Sequence, residues 1–197
     1  MENFDIYIEE RTEDKTHVVE LENNRTIEIF LNKGSAFGSN HATTLLSIES
    51  LKFLYIQNKS INSALDIGSG SGILSIFIQK ISFTQVDYSE IDGFARNECL
   101  KNFKSNFINK LKLPELVENP LGKNKKYDLV VANISGSFIP KNLLKISEII
   151  RDNGHLVISG FNINKEDKYL DLASEINLNL VKSFKKDPWI SMIFSKE

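Results

Sequence analysis

Three glycines at alternate positions, Gly68, Gly70 and Gly72, interrupt the stretch "ALDIGSGSGILS" at residues 64–75. A short apolar run that ends in Asp66 precedes them, and an apolar helical pattern begins at Ile73. Glycines at a strand-to-helix corner let the chain turn tightly and let a ligand approach the backbone closely. Free amides at the start of the following helix favour an electronegative group there. A dinucleotide fingerprint needs G-x-G-x-x-G, and counted from Gly68 its third glycine would fall on Ile73. The spacing here is G-x-G-x-G. An acid at the end of the next strand, about twenty residues on, is the expected partner for ribose hydroxyls. Two carboxylates compete for that place, Asp87 and Glu90. Asp87 would require an unusually short helix and strand before it, whereas Glu90 gives both ordinary lengths and is favoured. The sequence holds no His/Cys cluster with zinc spacing, no nucleophile elbow and no P-loop.

These residues need a frame. A strand is expected from Ser63 to Gly68, a helix from about Gly72 to Lys80, and a weaker strand from about Thr84 to Glu90. Another helix follows from about Asp92 to Lys110. Upstream lie two strand-like runs, "FDIYIEE" and "THVVELENNRTIEIFLN", the second with an Asn23-Asn24 turn. The loop "KGSAFGSNHATT" and a helix over about 43–57 come next. Downstream, "KKYDLVVANIS" is an almost continuous apolar run, as buried parallel strands are. The helix "IPKNLLKISEIIRDNG" places Pro140 near its start and Asn153-Gly154 as its stop. The strand "GHLVISGF", the helix "NKEDKYLDLASEI" and two strands around Asp187-Pro188 complete the chain. This alternation predicts an α/β Rossmann-like fold with helices on both faces of a mostly parallel seven-stranded sheet. The runs around Asp187-Pro188 lie too close for a crossover helix, so a terminal antiparallel hairpin is expected.

Length suits one compact domain, with residues 1–33 read as an N-terminal β extension and 34–197 as the main domain. An apolar fraction of 41% with 13 phenylalanines is enough for one sizeable core. A net charge of -2 argues against a nucleic-acid partner bound through phosphates. Cys99 stands alone, which excludes an intramolecular disulfide, fits a reducing compartment and points to packing. The acidic N-terminus lacks the apolar core of a signal peptide, and no apolar run reaches membrane-spanning length. The expected setting is cytoplasmic, with no membrane partner.

The G-x-G-x-G loop behind a strand Asp resembles the S-adenosylmethionine loop of class I methyltransferases, whose ligand carries no pyrophosphate to cradle. Five stretches in fixed order extend the likeness: "IEIFLNKGSAFGSNHATTLLSIESL", "ALDIGSGSGILSIFIQK", "YDLVVANIS", "GHLVISGF" and "PWISMIF". They resemble the bacterial methyltransferase family that modifies ribosomal protein L-eleven, whose motifs run AFGTGxHPTT, LDxGCGSGILAI, DID, ANIL and LSG. The match spans about residues 26 to 197 and needs no gap between Asp66 and Glu90, which supports Glu90. "GILS" is also similar to protein arginine methyltransferases, but their two-glutamate loop is replaced here by "ANISGSF". The resemblance implies a class I methyltransferase fold and S-adenosyl-L-methionine as cofactor. It implies that Thr44 and Asn133 border the methionine end and the transfer site, with Asn133 the catalytic candidate. Gly68 and Gly70 would lie under the ligand, Asp66 would orient its amino group, and Glu90 would take the ribose. Plainer structural roles compete, Thr44 as a helix cap and Asn133 as a turn residue; His41 is expected to be a surface-loop histidine rather than a proton-transfer group, and Trp189 hairpin core rather than a substrate wall.

Departures from the family bear on the acceptor. The loop "AFGSNHATT" is one residue shorter and lacks the second glycine and the proline. Ser69 replaces the family's cysteine, "ANIS" replaces ANIL, and Glu90 replaces the first Asp of DID. About 33 residues precede Gly34, too few for the family's N-terminal docking domain. The expected activity is N-methylation of a protein or peptide amine. A small-molecule methyltransferase is the second reading, and a non-catalytic partner subunit the third. The acceptor is expected at a mouth built from Gly34 to Thr44 and Ser135 to Pro140, which suits a small molecule, chain end or flexible peptide better than a folded ribosomal protein. Methyl transfer is an in-line displacement, so alignment dominates. An amine nucleophile with a reference pKa near 10.4 must first lose a proton, helped by desolvation. Backbone carbonyls and the Asn133 amide are expected near it, with no dedicated dyad.

Overall fold

The computed structural model describes residues 6–11, 14–21, 25–32, 40–57, 60–82, 84–107, 112–122 and 125–197. The Asn23-Asn24 turn and positions 34–39 of the glycine-containing loop lie outside the described residues. Strands β1 (Ile6–Arg11), β2 (Asp14–Glu20) and β3 (Thr26–Leu31) form an antiparallel sheet in sequence order. In β3 exposed and buried residues alternate strictly, so Ile27, Ile29 and Leu31 share one buried face.

The remainder alternates: α1 (Ala42–Ile56), β4 (Ser63–Ile67), α2 (Ile73–Ser82), β5 (Gln85–Ser89), α3 (Gly93–Asn106) and β6 (Glu115–Leu116). Then come β7 (Tyr127–Asn133), α4 (Phe138–Glu148), β8 (Ile150–Asn162), α5 (Glu166–Ser174), β9 (Leu178–Lys186) and β10 (Trp189–Lys196). The main sheet has seven strands in the order β6-β5-β4-β7-β8-β10-β9. The first five run parallel, and β10 pairs antiparallel with both β8 and β9. The expected fold and its hairpin are therefore present. One face packs α1, α2, α3 and β3 around Ile29, Leu54, Phe77 and Phe103. The other packs α4 and α5 around Val130, Leu143, Ile146 and Tyr169. Covered on both faces, β4 and β7 are buried along most of their length without alternation.

The chain winds outward from β4 to β6, then returns to β7 and winds the other way. Strand order thus reverses between β4 and β7, and ligands of open α/β sheets bind at the carboxyl ends beside such a reversal.

One local expectation requires correction. The helix expected to stop at Asn153-Gly154 ends at Glu148, because Ile149 and Ile150 are fully buried and Ile150 already pairs with Tyr127. The next pairing is Leu129 with His155, so β8 carries extra residues against β7. Asn153 (φ 63°) and Gly154 serve that bulge rather than a helix end. Six of the seven sheet strands were located from sequence; the seventh, β6, has only two residues. Among the described residues no helix is long and apolar enough to cross a membrane.

Candidate active site

A cleft of about 1400 Å³ opens at the carboxyl ends of β4, β5 and β7. Gly68 to Ser71 form its floor. Gly68 has φ 70°, and its N–H and that of Ser69 both donate to the Ser89 carbonyl, at 2.8 and 3.0 Å. A Cβ on Gly68 would stand 2.9 Å from the Ile134 side chain. A Cβ on Gly72 (φ 80°) would meet Cys99 Sγ and Phe103 at 2.7 Å, so this glycine lets α3 close onto the start of α2. Fully buried Cys99 lies 3.6 Å from Ser69 Oγ, and burial pushes its thiol far above the ordinary range. Packing is its role, as expected.

The three acids have separate surroundings. Glu90 lines the cleft just past β5; its Oε2 accepts from Gly70 N–H at 2.8 Å and its Oε1 from Asp92 N–H at 2.9 Å. Each carboxylate oxygen keeps a second lone pair for another donor. Asp87 is 2% exposed inside β5 and lies off the cleft. Its Oδ2 accepts from Lys125 Nζ at 2.6 Å and Tyr127 OH at 2.7 Å. Burial and that carboxylate push the Tyr127 hydroxyl well above its usual range. Asp66 is 1% exposed and does not line the cleft. Its Oδ2 accepts from Ser75 Oγ at 2.7 Å and Ser75 N–H at 3.1 Å, tying the end of β4 to the first turn of α2. Desolvation raises its pKa to about 6; the Ser75 bonds oppose the rise and the Glu90 charge adds to it.

Across the cleft, Thr44 is buried in the first turn of α1, and its Oγ1 accepts from Asn133 Nδ2 at 3.0 Å. The cap of α1 is His41, whose Nδ1 accepts from Thr43 N–H, so Thr44 is free of the capping role. Asn133 is the last residue of β7. His41 is therefore not a loose surface histidine: its ring meets Trp189 edge-on, centroids 4.7 Å apart at 71°. Trp189, expected in the hairpin core, is instead partly exposed and lines the cleft with His41. As the first residue of β10 it sits at the end of its strand, beside the cleft. Among the described residues no group of three or more His, Cys, Asp or Glu side chains could hold a metal.

Sequence reasoning missed part of the cleft wall. Ile91 is 99% exposed and Phe94 85% exposed, and both line the cleft beside Glu90. Residues 117–121, after β6, line it as well. The available signal was "EIDGF", two large apolar residues around a helix cap, with Phe94 off the buried stripe of Cys99, Asn102 and Phe103.

Comparison with known proteins places these features in a family. The family model described as Ribosomal protein L11 methyltransferase (PrmA) matches residues 5–197. The ribosomal protein L11 methyltransferase of Dictyoglomus turgidum is 34% identical over 175 residues, which cover 87% of this chain and 56% of that protein. The chain spans about half the length of the curated relatives it matches. Among solved structures, a ribosomal protein L11 methylase from Lactobacillus delbrueckii subsp. bulgaricus superposes with TM-score 0.74 at 24% identity, covering 85% of this chain and 84% of that one. A 16S rRNA methyltransferase from T. thermophilus, in complex with AdoMet and guanosine, gives TM-score 0.68 at 16% identity, covering 95% of this chain and 52% of that one. Both likenesses carry the fold. On the strength of the family match, the chain belongs to the ribosomal protein L11 methyltransferase family.

Proposed function

We propose that this chain is an S-adenosylmethionine-dependent N-methyltransferase acting on an amine of a protein or peptide. The observation that carries the reading is one cleft with a different polar device at each end. Glu90 is braced by Gly70 N–H at one end, and Asn133 is braced on Thr44 at the other. The residues fit the cofactor: a glycine floor, a carboxylate with spare lone pairs, and exposed Ile91 and Phe94 beside it as apolar surface for a base. The names of the relatives, ribosomal protein L11 methyltransferases, support a protein acceptor.

In this reading Glu90 takes the ribose hydroxyls, and Gly68 and Gly70 lie beneath the ligand. Thr44 and Asn133 border its methionine end. Asp66 acts from below, fixing the glycine loop to α2 through Ser75. When bound, the cofactor supplies a methyl group on a positively charged sulfur. The chain's own work is alignment and exclusion of water. Asn133 spends one N–H on Thr44, which fixes its amide plane and leaves the amide oxygen to receive an N–H of the acceptor amine. The half-buried rings of His41 and Trp189 narrow the approach and desolvate that amine, lowering its pKa and favouring the neutral nucleophile.

Isothermal calorimetry with S-adenosylmethionine tests the cofactor, and absence of binding overturns the reading. For the acceptor, the chain is incubated with labelled cofactor and either purified ribosomal protein L11 or a cell extract. Label on a protein or peptide amine is the expected result. Label confined to small molecules would replace the acceptor class.

A further inference from the structure

We infer that Arg96 is a positioning residue for the adenosine end of the cleft, holding two of its wall segments together. The inference rests on the S-adenosylmethionine reading of the cleft. Arg96 lies in the first turns of α3 with its side chain 30% exposed. Its Nε and Nη2 both donate to the Glu90 carbonyl, at 3.2 and 2.7 Å, and its Nη1 donates to Glu118 Oε1 at 3.2 Å. One guanidinium therefore grips the connection after β5 and the connection after β6.

Those two connections have little else in common. β5 and β6 pair only through Asp87 with Glu115 and Tyr88 with Leu116, extended by Val117 N–H to the Tyr88 carbonyl at 2.8 Å. Past Val117, no further backbone bond links the two connections among the described residues. Yet both supply cleft wall, Ile91 and Phe94 from one and Glu118 to Leu121 from the other. A base placed between them needs a fixed gap, and Glu90 needs a fixed backbone to present its carboxylate to a ribose. The Glu118 contact alone is an exposed ion pair, the kind that contributes little. The two bonds to one carbonyl are the stronger element, and only a planar fork can make them while reaching a carboxylate with its third nitrogen. An ammonium at this position cannot.

Calorimetry on the full chain compares wild type, Arg96→Ala and Arg96→Lys, with S-adenosylmethionine and with adenosine as probes, alongside thermal midpoints. Arg96→Ala is expected to weaken both ligands about ten- to a hundredfold, as loss of charge-assisted hydrogen bonds does, with little change in thermal midpoint. Arg96→Lys is expected to stay near the alanine variant. Equal loss for both probes assigns the effect to the end they share. Wild-type affinity for S-adenosylmethionine in Arg96→Ala overturns the inference, as does full rescue by lysine or a loss that spares adenosine. Failure of the wild-type chain to bind S-adenosylmethionine overturns the reading of the cleft, and this inference with it.

Discussion

Two residues, Tyr88 and Ser89, separate Asp87 from Glu90, and β5 ends between them. Asp87 stays inside the sheet, where Lys125 and the Tyr127 hydroxyl satisfy one of its oxygens. Glu90 emerges at the carboxyl end, held by two backbone amides that leave it lone pairs to offer. The two acids therefore have separable phenotypes. Glu90→Ala is expected to weaken S-adenosylmethionine binding by about 1.5–3 kcal/mol, the worth of hydrogen bonds to a charged group, while the unfolding midpoint holds. Asp87→Ala is expected to do the reverse, because it strands a buried tyrosine hydroxyl at a cost of about 1–3 kcal/mol. Calorimetry and urea denaturation on both variants decide it. The opposite ranking would make Asp87 the ribose ligand.

At the scale of elements, the corner between β4 and α2 combines a buried carboxyl with a helix start. Asp66 has its pKa raised from 3.8 to about 6, chiefly by desolvation. A carboxyl that binds its proton more tightly folded than unfolded adds stability below its unfolded pKa. That increment is lost as pH rises through its folded pKa, here between 3.8 and about 6. Asp66→Asn keeps an acceptor for Ser75 and removes the titration. The thermal midpoint of wild type minus that of Asp66→Asn should therefore fall from pH 4 to about pH 6.5 and then level off. A difference flat across that range would remove the account. The same corner was the most legible part of the sequence, because alternating glycines between a buried strand and an apolar helix have few other uses. Glu90 and the Thr44–Asn133 pair were reachable through spacing and resemblance. The end of α4 was not: Asn153-Gly154 marks a turn in either setting, and only the pairing of Ile150 with Tyr127 shows that the strand has already begun. β6 offers two residues, too few for any period. Trp189 reads as core in a strand pattern, since a sequence does not show that its strand starts at a cleft.

For the whole molecule, the three-stranded sheet is built into the body that carries the cleft. Ile27, Ile29 and Leu31 belong to the same buried cluster as Leu54 of α1, Phe77 of α2 and Phe103 of α3. Polar latches reinforce this packing. Asn106 exchanges both backbone bonds of Phe30, at 3.0 and 2.7 Å, and Lys80 Nζ donates to the Glu28 carbonyl at 2.6 Å. Asn102 reaches further: its Oδ1 accepts from Asn32 N–H at 2.8 Å while its Nδ2 donates to the Ser71 carbonyl at 2.8 Å. One buried side chain thus joins the end of β3 to the glycine loop. We expect that residues 34–197 alone do not form a stable domain. Each of the three aliphatic side chains contributes about 1.5–3 kcal/mol by burial, and a domain of this kind has about 5–15 kcal/mol in all. Truncation also uncovers the faces of α2 and α3 that β3 covers. Ile29→Ala gives the graded version, with an expected loss of about 2–5 kcal/mol in urea denaturation and all strands retained. Asn102→Ala separates the coupling from the packing: cofactor affinity should fall through the glycine loop even where residual stability keeps the chain folded. A 34–197 fragment with the full chain's unfolding midpoint and cofactor affinity would show the sheet to be an appendage.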